Sequence, residues 1–159
     1  RRRQSLNLGA HASFDPFAPQ ISKLVLQGLE ATARYDGADL VYELSGSPQA
    51  LDQAIAVCGF DGRIVVGSWY GQKRAPLILG GRFHRARLRL VSSQVSTLAP
   101  HLLRRWGKTR RLEAAWQGLQ RIQPGHLITH RFPFQQAEAA YRLLAQNPGE
   151  TIQVIFEYP

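Results

Sequence analysis

Two turns of small residues in this sequence lie where a flat ligand could approach the backbone. Leu44, Ser45 and Gly46 close one short apolar run, and Val66 and Gly67 close the next. If the two runs are parallel strands, their carboxyl ends lie at one edge of a sheet, where open α/β sheets bind ligands. Glycine and serine there leave the backbone accessible. Glycines also end strands that bind nothing, and the local pattern alone favours that simpler interpretation.

The residue types that usually carry catalysis form no recognisable motif in this chain. The histidines are dispersed, and no HExxH, CxxC or Cys/His cluster predicts a metal site. No serine occupies a G-x-S-x-G turn, so hydrolase chemistry has no support. Cys58 falls on the apolar stripe of a predicted helix and is expected to pack as a small apolar residue. We therefore predict no catalytic residue and no metal ligand here.

Composition predicts one ordinary folded domain. With 159 residues, of which 44% are apolar, the chain is long enough to bury a core. No apolar run approaches the roughly 18 residues that span a bilayer, and a single cysteine fits a reducing compartment. We expect a soluble cytoplasmic protein without membrane contact. The chain contains no methionine and opens on Arg1-Arg2-Arg3, which indicates a fragment of a longer protein.

The charge balance favours polyanionic partners. The 20 basic and 11 acidic residues give a net charge of +9. The basic stretches at 82–89 and 104–111 could bind nucleic acid, with tryptophans nearby for stacking. Trp116, however, shares a helix face with Leu112 and Leu119, which predicts a core position. Solvated helix faces are the commoner explanation of such stretches, so we do not expect nucleic acid as the partner.

Local patterns predict an α/β fold built on a parallel sheet. Short apolar runs at about 39–44 and 62–67 predict buried strands. The helix between them is expected to begin with Ser47 as a capping residue and to end at Gly59. One face of this helix carries the apolar residues at helical spacing, which predicts a buried stripe. The stripe comprises Leu51, Ala54, Ile55 and Cys58.

Further elements follow the same periodicity arguments. We predict helices over about 20–34, 101–122 and 135–146, and strands over about 87–91, 127–132 and 151–157. The last helix is expected to bury one stripe against the rest of the fold, because its apolar residues recur at helical spacing. This stripe comprises Ala137, Ala140, Tyr141 and Leu144.

Long segments of the sequence resemble the medium-chain dehydrogenases. The run GADLVYELSGSPQALDQAIAVCGFDGRIVVGSW is similar to the second half of their cofactor domain. The ending LITHRFPFQQAEAAYRLLAQNPGETIQVIFEYP is similar to the tail of the same family. Within the family, FHRARLRLVSSQV is closer to the zinc-type alcohol and polyol dehydrogenases than to the zinc-free quinone reductases. The match, of which these are the most similar segments, covers nearly the whole chain, and its elements come in the family's order.

The resemblance implies an incomplete Rossmann-type sheet that lacks its first strands, over about 1–96, and a tail that returns to the catalytic domain, over about 97–159. The glycine-rich phosphate turn, the ribose-binding acid and the zinc ligands would belong to a missing N-terminal catalytic half. The fragment alone is therefore expected to be inactive. The region 77–92 would supply subunit contacts in a homodimer or homotetramer.

The resemblance also implies hydride transfer between NAD or NADP and a small alcohol or carbonyl substrate, with zinc polarising the substrate oxygen. Leu44, Ser45 and Gly46 would border the adenosine and ribose of the cofactor. Arg1 falls where the family often has a basic residue near that ribose. A 2′-phosphate there is conceivable from the neighbouring arginines, and helix-face solvation explains them equally well, so NAD and NADP both remain open.

The nicotinamide end of the cofactor is expected at the second turn. By position in the family's pattern, Val66 and Gly67 would meet the nicotinamide ring, and Val91 would lie near its carboxamide. Gln153 departs from the pattern, because relatives commonly place a basic residue there towards the pyrophosphate. A neutral amide at that position would weaken the contact.

The competing interpretation is a non-catalytic basic α/β module that binds nucleic acid or a partner protein. Salt dependence separates the two interpretations, because each phosphate contacted contributes roughly 0.9 log units of affinity per log unit of salt. Absence of DNA and RNA binding at physiological salt would remove this alternative.

Overall fold

Helices and parallel strands alternate along most of the chain. The structure is a computed structural model, and it describes residues 1–30 and 36–159. These residues form two units: Arg2–Thr97, which we call the sheet unit, and Leu98–Pro159 together with Arg1, which we call the tail unit. The sequence predicted a division between residues 96 and 97. The assignment of the two parts to a cofactor domain and a catalytic-domain tail stays a prediction.

Three parallel strands form the centre of the sheet unit. Its elements are α1 (Arg2–Asn7), α2 (Ile21–Glu30), β1 (Ala38–Glu43), α3 (Pro48–Val57), β2 (Cys58–Val66) and β3 (Arg89–Ser92). The strands pair in the order β1-β2-β3, with Val41 beside Ile64 and Val65 beside Val91. This confirms the predicted α/β class with a parallel sheet. Residues 31–34 of the helix predicted over 20–34 lie outside the described residues.

α3 forms the core of the sheet unit, because its apolar residues recur every three or four positions. Leu51, Ala54 and Ile55 are buried and pack with Cys58 and Ile64, which are both fully covered. The predicted buried stripe is therefore confirmed. Burial of a large aliphatic side chain stabilises a fold by roughly 1.5–3 kcal/mol, so this small cluster anchors the helix to the sheet.

β2 begins at Cys58, earlier than the strand start predicted at residue 62. The backbones of β1 and β2 approach closely here, since Gly37, which precedes β1, has φ +123° and a Cβ on it would lie 2.8 Å from the backbone nitrogen of Gly59 in β2. This approach lets Cys58 pair with Ala38. Gly59 consequently belongs to β2, and the prediction that it ends the helix is wrong.

Ser47 occupies the predicted position before α3, but its side chain does not cap the helix. The Ser47 hydroxyl donates instead to Oε1 of Gln49 at 2.9 Å. Pro48 follows it in the first turn of α3, where the missing N–H of proline removes one of the donors that a cap would serve. The helix start was thus predicted correctly and the side-chain cap wrongly.

The tail unit consists mainly of two helices and a pair of parallel strands. Its elements are α4 (Lys108–Ile122), β4 (Ile128–Pro133), α5 (Ala137–Gln146) and β5 (Gln153–Glu157). β4 and β5 are paired in parallel, and Ala140 and Thr151 are buried beside them. None of the helices in the described part of the chain has the length and apolar character needed to cross a lipid bilayer.

Several predictions about the helices of the tail unit are wrong. α4 begins at Lys108 and not near residue 101, because Pro100–Leu102 forms a separate 3-10 turn and Gly107 is extended. Trp116 is 65% exposed and Tyr141 67% exposed, although both were predicted to be buried, and Leu144 is exposed as well. Periodicity identifies the residues that share a helix face, but it does not show whether another element covers that face.

Candidate functional site

The carboxyl ends of the three parallel strands lie at one edge of the sheet. β1 ends at Glu43, β2 at Val66 and β3 at Ser92. Backbone pairing continues just past the strands, since the Gly67 N–H donates to the Glu43 carbonyl at 3.0 Å and the Ser93 N–H donates to the Val66 carbonyl at 2.8 Å. This edge is the position at which open α/β sheets bind their ligands.

Two turns leave this edge side by side: the first turn (Leu44–Ser47) after β1 and the second turn (Gly67–Tyr70) after β2. They touch through their backbones. Gly46 has φ +67°, and a Cβ on it would lie 2.8 Å from the carbonyl oxygen of Trp69. Both the left-handed conformation and the close approach require glycine at this position. Gly46 therefore allows the close backbone contact between the two turns.

The carboxylate of Glu43 joins the two turns. Its Oε1 accepts hydrogen bonds from the first turn, namely from the Ser45 N–H at 2.6 Å, the Ser45 hydroxyl at 2.5 Å and the Gly46 N–H at 3.1 Å. Its Oε2 accepts hydrogen bonds from the second turn, namely from the Ser68 hydroxyl and from the Tyr70 hydroxyl at 2.8 Å. Each carboxylate oxygen thus serves one turn.

These hydrogen bonds determine the charge states of Glu43 and Tyr70. Burial raises the pKa of Glu43, but hydrogen bonds from the hydroxyls of Ser45, Ser68 and Tyr70 and from the Ser45 N–H outweigh it and lower this pKa to about 2. Burial, the hydrogen bond to Glu43 and the charge of Glu43 raise the pKa of Tyr70 to about 12. At neutral pH the site therefore contains a charged carboxylate and a neutral phenol.

Apolar side chains flank this polar network. Leu44 is 70% exposed and Trp69 is 87% exposed. Gly67 lies against Leu44, since a Cβ on Gly67 would be 2.8 Å from its Cδ2. On the other side, the Lys73 ammonium donates to the Gly46 carbonyl at 3.0 Å. The edge thus combines exposed apolar surfaces, which suit a flat ring, with a backbone held by hydrogen bonds.

Most of the residues predicted to contact the cofactor lie at this edge. The residues found there are Leu44, Ser45, Gly46, Val66 and Gly67. Val91 pairs with Val65 one step back from the edge and is 44% exposed. Arg1 belongs to the tail unit, where its guanidinium donates to the carbonyls of Pro148 at 2.6 Å and Thr151 at 2.9 Å.

The site also contains four residues that were not predicted from the sequence, namely Glu43, Ser68, Tyr70 and Lys73. A signal was present for the first of them, because a glutamate within a buried apolar run requires hydrogen-bond donors. The donors themselves lie 25 and 27 positions further along the chain. Only the strand register brings them to Glu43, and the sequence does not state that register.

Metal-binding residue types are not grouped. In residues 1–30 and 36–159 no three His, Cys, Asp or Glu side chains lie close enough together to hold a metal ion. Cys58 is fully buried, and burial raises the pKa of its thiol. A buried, protonated thiol is neither a ready nucleophile nor a ready metal ligand. This agrees with the prediction that Cys58 packs as a small apolar residue.

Two arginines of the 82–89 stretch make contacts within the sheet unit. Arg82 donates through Nε to the Cys58 carbonyl at 2.8 Å and through Nη1 to the Asp36 carboxylate at 3.0 Å. Arg89 lies 3.4 Å from the Asp61 carboxylate and donates to the Asp61 carbonyl at 2.9 Å. Part of the positive charge of this stretch is therefore compensated locally.

Solved structures with the same fold include alcohol and polyol dehydrogenases. No protein-family model matches the chain, and no curated protein matches its sequence. An Escherichia coli enzyme described as a short chain alcohol dehydrogenase, in complex with NADH, matches 97% of this chain with a TM-score of 0.72 at 18% identity. The chain has the fold of a segment of these dehydrogenases. It covers 40% of that enzyme's chain.

Other solved structures also match most of this chain over part of their own length. Benzyl alcohol dehydrogenase from Acinetobacter calcoaceticus matches 99% of this chain at 16% identity, with a TM-score of 0.73, and the match covers 40% of that enzyme. Galactitol-1-phosphate dehydrogenase from Escherichia coli matches 92% at 20% identity, with a TM-score of 0.68, and again the match covers 40% of that enzyme. At these identities the likeness shows the fold.

Proposed function

We propose that the chain is the cofactor-binding part of an NAD(P)-dependent, zinc-type alcohol or polyol dehydrogenase of the medium-chain superfamily. The observation that carries the proposal is the pair of joined turns at the carboxyl edge of a parallel sheet whose fold is that of alcohol dehydrogenases. Support comes from the sequence resemblance, which covers nearly the whole chain, and from the neighbour solved with NADH.

The residues at the edge suit the two ends of a dinucleotide. The first turn presents Leu44 as an exposed apolar surface beside Ser45 and Gly46, and these three would border the adenosine and ribose. At the second turn Val66 and Gly67 would lie against the nicotinamide ring, with Val91 near its carboxamide. Since glycine carries no side chain, the ring could approach the backbone at Gly67.

The role proposed for Arg1 is less direct. Its guanidinium is engaged by the carbonyls of Pro148 and Thr151, so it would have to release them to contact a ribose or a 2′-phosphate. The choice between NAD and NADP therefore does not follow from this residue.

When bound, the nicotinamide ring supplies hydride transfer to or from an alcohol or carbonyl carbon. The residues of this chain would bind and orient that ring. We further propose that the zinc ligands lie in an N-terminal catalytic half, that the substrate is a small alcohol or carbonyl compound, and that the parent protein is a cytoplasmic homodimer or homotetramer with contacts from 77–92. The chain alone would be inactive.

The experiment that tests cofactor binding is a titration of the ¹⁵N-labelled chain with NADH followed by NMR. This measurement detects weak complexes, which we expect because no glycine-rich phosphate turn is present. The amides of Gly46 and Gly67 and the indole of Trp69 should shift together and yield one dissociation constant. The amide of Gly125 in the tail unit serves as an internal control and should not shift.

A matched pair of substitutions makes the test specific. Gly46→Ala places a methyl group against the carbonyl of Trp69, whereas a Cβ on Gly80 in the same unit meets nothing within 4 Å. Gly46→Ala should weaken NADH binding and Gly80→Ala should not. If NADH leaves the resonances of both turns unchanged while DNA or RNA shifts the arginine-rich segments, the dehydrogenase proposal fails and the basic-module alternative replaces it.

A further inference from the structure

Burying the carboxylate of Glu43 at the end of a strand costs solvation free energy. The residue is 4% exposed, and a charge removed from water needs several donors to compensate for its lost hydration. Five hydrogen bonds provide them, from Ser45, Gly46, Ser68 and Tyr70. An apolar side chain could fill the same position without this requirement. The carboxylate therefore fixes the distance between the two turns, which apolar packing would leave free.

The direction of these donors restricts what can bind at the first turn. The N–H groups of Ser45 and Gly46 point at Oε1 of Glu43, and the Ser45 hydroxyl donates to the same oxygen. They are not available to a phosphate, and the negative charge of Glu43 repels one. The part of a ligand that lies here is accordingly uncharged, such as a sugar or an aromatic ring.

We propose that Glu43 is a positioning residue, which holds the first turn through one carboxylate oxygen and the second turn through the other, and so sets the width of the edge where the uncharged sugar or ring of a dinucleotide lies. This role rests on the proposed function, because it assigns a task to Glu43 within the same site. Binding sites lose affinity when supporting residues no longer hold them to within about 0.5 Å.

The test measures NADH affinity and turn order together, by NMR, in three forms of the full 159-residue chain. The forms are the unsubstituted chain, Glu43→Gln, and the double variant Ser68→Ala/Tyr70→Phe. In Glu43→Gln we expect NADH binding about tenfold weaker, the loss of roughly one charged hydrogen bond, and faster hydrogen exchange at the Gly46 amide. Added inorganic phosphate should not displace NADH from the first turn.

The double variant separates positioning from folding. It removes the Ser68 and Tyr70 hydroxyls that bind Oε2, and with the Tyr70 hydroxyl also its contact to the Ser47 carbonyl. The Gly46 amide still donates to Oε1, so it should keep its protection while the Trp69 indole resonance moves and NADH binding weakens. Ile55→Val is the matched control, because it removes one methyl group from a buried core residue and leaves every hydrogen bond of Glu43 in place. It should lower stability and leave NADH affinity unchanged.

The outcomes distinguish the two proposals. If the unsubstituted chain binds NADH and both turn variants bind it equally well, the positioning role is overturned and the proposed function stands. If Ile55→Val weakens NADH binding as much as Glu43→Gln does, the effect is one of stability and the positioning role is again overturned. If the unsubstituted chain binds no NADH at all, the proposed function fails and the positioning role fails with it.

Discussion

The hydroxyl of Tyr70 donates a hydrogen bond of 2.8 Å to the carboxylate of Glu43, although the two residues are 27 positions apart. Glu43 ends β1, and Tyr70 belongs to the turn that follows β2, so the contact forms only when the two strands are paired in register. The same hydroxyl lies 3.1 Å from the carbonyl oxygen of Ser47 in the first turn. The hydrogen bond between Tyr70 and Glu43 therefore makes the relative position of the two turns depend on the pairing of β1 with β2.

Tyr70 should titrate later than an ordinary tyrosine. Because burial and the neighbouring carboxylate raise its pKa to about 12, its tyrosinate absorbance should appear only above the pH at which exposed tyrosines ionise. A difference titration against Tyr70→Phe isolates this group. Glu43→Gln removes the charge and should lower the pKa of Tyr70. An unchanged pKa in Glu43→Gln would show that the contact does not form in solution.

The free energy of unfolding should fall in acid because Glu43 becomes protonated. Its pKa is lowered from 4.5 to about 2 in the folded chain, so its contribution is complete above pH 4.5 and is lost as the pH falls through 2. A shift of this size corresponds to about 3 kcal/mol of unfolding free energy. Urea unfolding between pH 6 and pH 2 should show this loss, and Glu43→Gln should show a smaller one.

Asp52→Asn is the control for acid stability, since Asp52 is an exposed carboxylate in the same unit and its substitution also removes one negative charge. Because Glu43 and its hydrogen bonds are intact in this variant, it should still lose stability in acid. Identical acid slopes in Glu43→Gln and in the unsubstituted chain would contradict the assignment.

Two glycines should respond differently to the same substitution. Gly46→Ala should destabilise the sheet unit by roughly 1–3 kcal/mol, because alanine is strained in the left-handed region and its methyl group meets the Trp69 carbonyl. Gly80→Ala should be neutral or slightly stabilising, since its Cβ lies in open space. Thermal or urea unfolding checks both, and equal effects at the two positions would refute the close contact.

Local patterns were sufficient to predict much of the sheet unit. The stripe of α3 and the two apolar runs are properties of adjacent residues, so the parallel sheet and its carboxyl edge could be predicted from the sequence. The network at that edge could not. Glu43 meets Ser68 and Tyr70 only through strand register, and Gly59 extends β2 only because Gly37 lets the backbones approach.

Cys58 should resist thiol reagents in the folded chain. It is fully buried, and burial raises the pKa of its thiol, so little reactive thiolate is present and access is blocked. Ellman's reagent should modify it only at the rate of unfolding, and urea should accelerate the reaction. Cys58→Ala combined with Gln72→Cys places the thiol on the surface as a control that reacts at once. Rapid modification of native Cys58 would mean that the core opens frequently.

The exposure of Trp116 differs from the burial that its helical spacing predicts. Spacing with Leu112 and Leu119 predicted a core residue, and loss of a core tryptophan side chain typically costs about 3–5 kcal/mol. The structure shows Trp116 65% exposed on α4, which has no buried residue. Trp116→Gln should therefore change the unfolding free energy of this chain by no more than about 0.5 kcal/mol. Urea unfolding measures the difference, and iodide should quench the Trp116 contribution to fluorescence. A loss of several kcal/mol would mean that this face of α4 is covered in solution, as the sequence pattern indicated.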